Sequence, residues 1–168
     1  MNVPSESSAN IQRICIVRGI PLEALEESIQ KLLAAAGRAT STAYAPYSRF
    51  FVGAALLLEN GDVVVGSNQE NAAYPSGLCA ERTALFAAGA QQPGVGVTAM
   101  AVVVARADAA PLSPAFPCGA CLQVLLEVER RQGNPVRVYL KGTDAGVYVA
   151  DGVRNFLPFG FDPTALSG

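Results

Sequence analysis

Thr98 to Ala105 reads TAMAVVVA, a stretch with no polar residue after the threonine and three successive valines. A strand with one face in water alternates apolar and polar residues. This one does not, so it predicts a strand buried on both faces. Such a strand needs helices above and below it, and the chain offers them. Leu22, Leu25, Ile29, Leu32, Leu33 and Ala36 recur at helical spacing after Pro21, with Glu23, Glu26 and Glu27 where a helix dipole favours acids. Leu78 to Ala90 and Gly119 to Arg131 form the second and third helical segments. Further strands are predicted at Phe50–Leu58, Asp62–Ser67, Val136–Leu140 and Gly146–Ala150, the first two joined by the hairpin signal Asn60-Gly61. The order is α-β-β-α-β-α-β-β. It predicts an α/β fold, a three-layer α-β-α sandwich around a five-stranded mixed sheet. Ile11 to Gly19 fits no element, and Ala109 to Pro117 reads as a proline-rich loop.

At 168 residues the chain fits one domain. Residues 1–20 are expected to be a partly flexible extension, polar and Pro/Ser-containing at its start, and residues 21–168 a single domain. Net charge is −2, and the longest basic run is Arg130-Arg131. A grip on polynucleotide needs a basic patch, so no nucleic-acid polymer is expected, whereas a small neutral substrate is compatible. Low charge and abundant apolar residues also fit burial of surface between subunits. The longest apolar stretch, Val95–Ala105, is too short to span a bilayer, and no signal peptide is recognisable, so a cytoplasmic protein is the expectation.

The chain contains no histidine. That removes Ser-His-Asp and Cys-His nucleophile chemistry, histidine bases and histidine metal ligands. Any metal must be held by Cys, Asp or Glu. In a reducing compartment, Cys-x-x-Cys points to metal or redox work before it points to a disulfide.

Two segments carry that chemistry: Cys79-Ala-Glu-Arg82 and Pro117-Cys-Gly-Ala-Cys121, each at the expected start of a helix. Structural zinc is usually closed by four protein ligands, while catalytic zinc keeps three and leaves one place for water. Cys79, Cys118 and Cys121 supply three; Cys15 lies far upstream without a metal-site pattern. Unpaired N–H groups at a helix start lower a thiol pKa. Three thiolates around zinc leave an anionic site, and Arg82, three residues after Cys79, is placed to donate hydrogen bonds to sulfur and offset the charge. Glu81 need not ligate the metal, and one carboxylate can take a proton from a zinc-activated water and deliver it to a ring nitrogen and a departing amine. Alone, Cys-x-x-Cys is also a redox pair or a fragment of a structural zinc site. With Cys-x-Glu at a second helix start it matches the signature of zinc nucleobase deaminases in its three-cysteine form.

These segments, with Ala45-Pro-Tyr-Ser-Arg-Phe-Phe-Val-Gly-Ala-Ala55 and Asn68-Gln-Glu-Asn-Ala-Ala-Tyr74, closely resemble the small homotetrameric cytidine deaminases, from about Leu22 to Pro163. The resemblance implies one zinc ion per subunit and hydrolysis of cytidine or deoxycytidine to uridine or deoxyuridine and ammonia, in pyrimidine salvage. It implies Cys79, Cys118 and Cys121 as zinc ligands and Glu81 as proton shuttle. Ala80 would contact the pyrimidine through its backbone, Asn68 and Glu70 would hold the ribose 3′-hydroxyl, and Phe50 would face the pyrimidine. Tyr74 and Phe161 would reach a neighbouring subunit's site, the alignment of that last segment also admitting Phe159. The stretch around Asn68 and Glu70 differs from the related blasticidin-type deaminases. One departure stands out: Leu122 occupies the place of an arginine that usually follows the last cysteine, while Gln123 is retained.

Overall fold

A computed structural model describes residues 10–106, 113–142 and 146–162. The expectations for the first residues, for much of the loop Ala109–Pro117 and for the tail at Pro163 concern residues outside this set.

Among the described residues the sheet has six strands: β1 Arg18–Pro21, β2 Phe50–Leu58, β3 Val63–Ser67, β4 Val97–Arg106, β5 Arg137–Lys141 and β6 Gly146–Asp151. Their spatial order is β1-β6-β5-β4-β2-β3. Only β4 and β5 run parallel, and the other neighbours are antiparallel. The mixed sheet and three layers match expectation. The count does not, because β1 adds a sixth strand at the edge, pairing Arg18 to Pro21 with Val149 to Gly146. Its four residues are mostly exposed, so it carries no alternating apolar signature.

The first helix also begins later than the periodicity suggested. Pro21 ends β1, Leu22–Ala24 make one 3-10 turn, and Leu25 and Glu26 return to extended ψ values. Helix α1 then runs Glu27–Ala39. Leu22 and Leu25 still pack against the core beneath α1, which is why they fall into its apolar pattern. Helices α2 (Ala80–Gln91) and α3 (Gly119–Gln132) lie near their expected places.

Strand β4 explains the layering. Its Met100 and Val102 join Ala54 and Leu56 of β2 under α2 and α3. Its Ala99 and Ala101 join Ala55 of β2 and Ile29, Leu32, Leu33 and Ala36 of α1 on the opposite face. Successive residues point to opposite faces and both faces are covered, so no polar alternation survives. Burying each leucine contributes roughly 1.5–3 kcal/mol against the entropy of ordering the chain.

Two glycines shape the sheet edge and the seat of α2. Gly61 takes φ +88° in the β2–β3 turn, where Gly61 N donates to Leu58 O at 2.9 Å. Gly66 of β3 lies under the first turn of α2: a Cβ there would come within 2.5 Å of Ala84 N and 2.7 Å of Ala80 O. With the fully buried Ala80 and Ala84, it sets the start of α2 directly on the sheet.

Candidate metal centre and substrate cavity

Chain direction brings two helix starts to one place. Strand β4 leads through residues 107–118 into α3, which crosses to the parallel strand β5, so α3 begins beyond the C-terminal end of β4. Ligand sites of open α/β sheets lie at this edge. Strand β3 ends on the same edge, since Ser67 faces Gly53 of β2 and the start of β2 faces the end of β4. The segment after β3 turns through Tyr74–Ser76 into α2.

Cys79 caps α2 and Cys118 caps α3, both in extended conformation; Cys121 is three residues into α3. The sulfur of Cys118 is 3.8 Å from that of Cys79 and 3.4 Å from that of Cys121, and all three lie within 4.8 Å of one another. Tetrahedral ligands with zinc–sulfur bonds of about 2.3 Å stand about 3.8 Å apart, so the cluster fits the edges of a zinc tetrahedron. Exposure is graded: Cys121 is buried, Cys79 half-buried and Cys118 exposed.

Charge in the cluster is unevenly shared. The neighbouring Cys121 thiol, followed by Arg82, lowers the Cys79 thiol to about 5. The same proximity and burial push Cys121 in the opposite direction. The pair thus holds a proton that a metal must displace. Arg82 Nη2 lies 3.9 Å from Cys79 Sγ and 3.5 Å from Gly77 O, as the spacing suggested. Its Nε is buried without a hydrogen-bond partner among the described residues. Leu122 is buried in the core against α2 and the sheet, so the usual arginine position is an apolar packing position here.

Glu81, on the first turn of α2, is only 5% exposed. Burial raises its carboxyl above the ordinary range, and the charge of Cys79 adds to the rise. Ala80, between Cys79 and Glu81, is fully buried.

These groups open onto a cavity of about 740 Å³, within the range of roughly 300–1,000 Å³ usual for small-molecule sites. Cys79, Glu81, Arg82 and Cys118 line it, as do Phe50, Val52 and Val102. Asn68, Glu70 and Tyr74 also line it, together with Tyr47 and Ser48.

The second polar cluster is bound into the backbone. Asn68 Oδ1 accepts from Val52 N at 2.8 Å, and its Nδ2 donates to Phe50 O at 2.9 Å, so its amide extends the ladder at the start of β2. Glu70 Oε2 accepts from Tyr47 N at 2.9 Å and Ser48 N at 3.3 Å, and Oε1 accepts a short hydrogen bond from Ser48 Oγ. The Ser48 hydroxyl first, then the two backbone N–H groups, hold its carboxyl below the ordinary range. Tyr47 and Tyr74 meet edge-on with ring centroids 6.2 Å apart. Sequence reasoning gives Ser48 no role of its own. Its signal is faint, one serine in a loop, 22 residues from the glutamate it meets.

Phe161 lies outside this cavity and is 59% exposed. Gln123 of α3 fixes its backbone, Nε2 donating to Phe161 O at 2.8 Å and Oε1 accepting from Phe161 N at 3.2 Å. Tyr74 is 76% exposed.

Residues 26–133 match the family model described as the cytidine and deoxycytidylate deaminase zinc-binding region. The chain belongs to this deaminase family. Over 99 residues it is 46% identical to the cytidine deaminase of Sporosarcina psychrophila, covering 59% of this chain and 68% of that one. It is 50% identical over 99 residues to that of Halalkalibacterium halodurans, covering 59% and 70%. The crystal structure of cytidine deaminase from Burkholderia pseudomallei superposes with a TM-score of 0.67 at 42% identity, covering 78% of this chain and 97% of that one.

As a member of the deaminase family the protein is a zinc-dependent hydrolytic enzyme, and the three-thiol cluster fits one zinc ion per subunit. Among the described residues, no helix is long and apolar enough to cross a membrane.

Proposed function

We propose that the protein hydrolyses cytidine or 2′-deoxycytidine to uridine or deoxyuridine and ammonia in pyrimidine salvage, with residues 21–168 acting as one catalytic domain. One observation carries this reading: three thiols stand at zinc-ligand spacing, and two of them, Cys79 and Cys118, line with the buried carboxyl of Glu81 the same cavity as a second, preformed polar cluster.

In this reading Cys79, Cys118 and Cys121 hold the zinc, and Arg82 offsets their charge. When bound, zinc supplies the Lewis acidity that makes a water nucleophilic near neutral pH. Glu81 takes a proton from the attacking water and delivers it to the ring nitrogen, and then serves the departing amine. Its burial excludes competing water, and its raised pKa suits a group that must both take and give a proton. The ring lies against Phe50, with the backbone of Ala80 at its edge. Asn68 and Glu70 receive the ribose 3′-hydroxyl through the lone pairs and N–H left over from their backbone bonds. The net charge of −2 suits a neutral nucleoside over a polynucleotide.

The reading includes a homotetramer. Tyr74 and Phe161 are large, exposed and held at fixed positions, as aromatics that reach a neighbouring subunit's site would be. It also includes the cytoplasm, where the cluster's thiols stay reduced and available to metal.

The test is ammonia release from cytidine by the zinc-loaded protein, with Glu81→Ala as control. Wild type is expected to release ammonia; the variant is expected to bind zinc and lose about 10²–10⁴-fold in turnover. A folded, metallated wild type that releases none refutes the substrate, and an active Glu81→Ala protein refutes the proton route.

A further inference from the structure

Phe116 stands two residues before Cys118 and lines the cavity together with Ala115. It is 56% exposed, so it contributes little to the buried core. Its ring is nevertheless held on several sides. Phe156 meets it edge-on with centroids 5.9 Å apart, and Tyr148 of β6 lies 6.3 Å away at a tilt. Pro117 follows it, which keeps the Phe116 backbone extended, and Pro114 restricts the approach. A large aromatic that is pinned, partly exposed and on a cavity wall has a shape to impose on whatever enters.

Which part of a substrate it meets depends on its neighbours. The bond that breaks in the proposed deamination joins C4 to its exocyclic amine, and the groups that act on it are the thiol cluster and Glu81. The ribose is taken by Asn68 and Glu70, which are braced on β2 and on the Tyr47–Ser48 loop. Phe116 and Cys118 line the same cavity and only Pro117 separates them in the chain, which assigns Phe116 to the amine side in this reading.

We propose that Phe116 is a specificity-determining residue that limits the size of the amine at C4, admitting an unsubstituted amino group and rejecting N4-alkylated cytidines. The proposal rests on the deaminase reading of the site. A rigid wall cannot relax around an added methyl, so the clash opposes reaction instead of being absorbed by the loop. The corresponding reaction is N4-methylcytidine plus water to uridine plus methylamine. The C4–N bond breaks, a C4–O bond forms, and the methylamine leaves with a proton from the water.

The experiment compares kcat/KM for cytidine and N4-methylcytidine in the zinc-loaded wild type, Phe116→Ala and Phe116→Leu. Zinc content, thermal midpoint and native mass are measured alongside. One methylene in a pocket changes kcat/KM by about 10–200-fold. The ratio of N4-methylcytidine to cytidine is therefore expected to rise about tenfold or more in Phe116→Ala and by less in Phe116→Leu. Binding of N4-methylcytidine to Phe116→Ala combined with Glu81→Gln, measured by calorimetry without turnover, is expected to tighten relative to cytidine. A ratio within about twofold of wild type in a metallated, folded variant overturns the proposal. So does a changed native mass with an unmoved ratio, which assigns the ring to a subunit contact. If Phe116→Ala fails to fold, Phe116→Leu decides by the same ratio. A wild type inactive on cytidine overturns the deaminase reading and this proposal together, whereas an active wild type with unmoved variants overturns this proposal alone.

Discussion

The two polar clusters that share the cavity are built in opposite ways. On the metal side, Cys79, Cys118 and Cys121 converge from two helix starts until their sulfurs are 3.4–3.8 Å apart along two edges, and among the described residues their side-chain hydrogen bonds run to one another and to Arg82. Arg82 beside them keeps a buried Nε that has no partner among the described residues. On the side proposed to take the sugar, Asn68 and Glu70 are already engaged: the amide bonds the backbone of Phe50 and Val52, and the carboxylate takes two backbone N–H groups and a hydroxyl. The first cluster is finished by a ligand. The second is finished by the fold and offers a ligand what remains.

The largest expected effect breaks the metal side alone. Cys118→Ala leaves two thiols, and zinc and turnover are both expected to be lost. The variant's thermal midpoint should then no longer rise when zinc is added, because mass-action stabilisation requires a site. Zinc analysis and a melting curve with and without metal check this. A fully metallated Cys118→Ala protein would remove that residue from the ligand set. Glu70→Ala gives the contrasting result: zinc content and the zinc-dependent rise in midpoint stay at wild-type values. KM for cytidine rises by about ten- to a hundredfold, the scale of a lost hydrogen bond to a charged group. Unchanged kinetics would mean the carboxylate serves the loop and not the sugar.

This contrast also explains what could be read from the sequence. The metal side was legible because its residues are chemically distinctive and fall within two short segments at helix starts. The covered sheet was legible in β4, where both faces are packed and polar alternation disappears. The Asn60-Gly61 turn was legible because a left-handed glycine leaves a local mark. The edge strand β1 was not, because an exposed four-residue strand defined by pairing with β6 has no pattern of its own. The start of α1 was displaced because Leu22 and Leu25, half-buried, pack against the core while outside the helix. Around Asn68 and Glu70 the bracing was not legible. The bonds from Asn68 to β2 span 16 and 18 residues, and that from Ser48 to Glu70 spans 22.

The bracing itself is the next point at which the comparison can be sharpened. Asn68→Ala leaves Val52 N and Phe50 O without their side-chain partner at a half-buried strand end. It is expected to cost about 1–3 kcal/mol of folding stability, besides weakening nucleoside binding. No such stability loss is expected of metal-free Cys118→Ala, whose sulfur hydrogen bonds among the described residues run to other thiols. Urea unfolding of both proteins without zinc separates the two. Equal losses would erase the distinction between a cluster completed by the fold and one completed by a ligand.

The smallest effect tests the distinction most finely. Ser48→Ala keeps Glu70 and its two backbone N–H donors but removes the hydroxyl, the largest influence holding that carboxyl below the ordinary range. Its pKa should move part of the way back towards the usual value of about 4.3. The sign comes from linkage. Glu70 has a lower pKa folded than unfolded, so the unfolded state binds its proton first as pH falls. The stability this contributes is fully present above the unfolded value and is lost as pH drops through the folded one. With the gap narrowed, Ser48→Ala should be slightly less stable than wild type at neutral pH, and the difference should shrink below about pH 4. KM for cytidine should rise only a few-fold at neutral pH, since the carboxylate is still present and charged, and the acid-side increase in KM should begin at higher pH than in wild type. Zinc content should not change. A KM–pH profile that coincides with wild type would show that the backbone N–H groups alone set the state of Glu70, and that the short bond to Ser48 organises the loop without tuning the carboxylate.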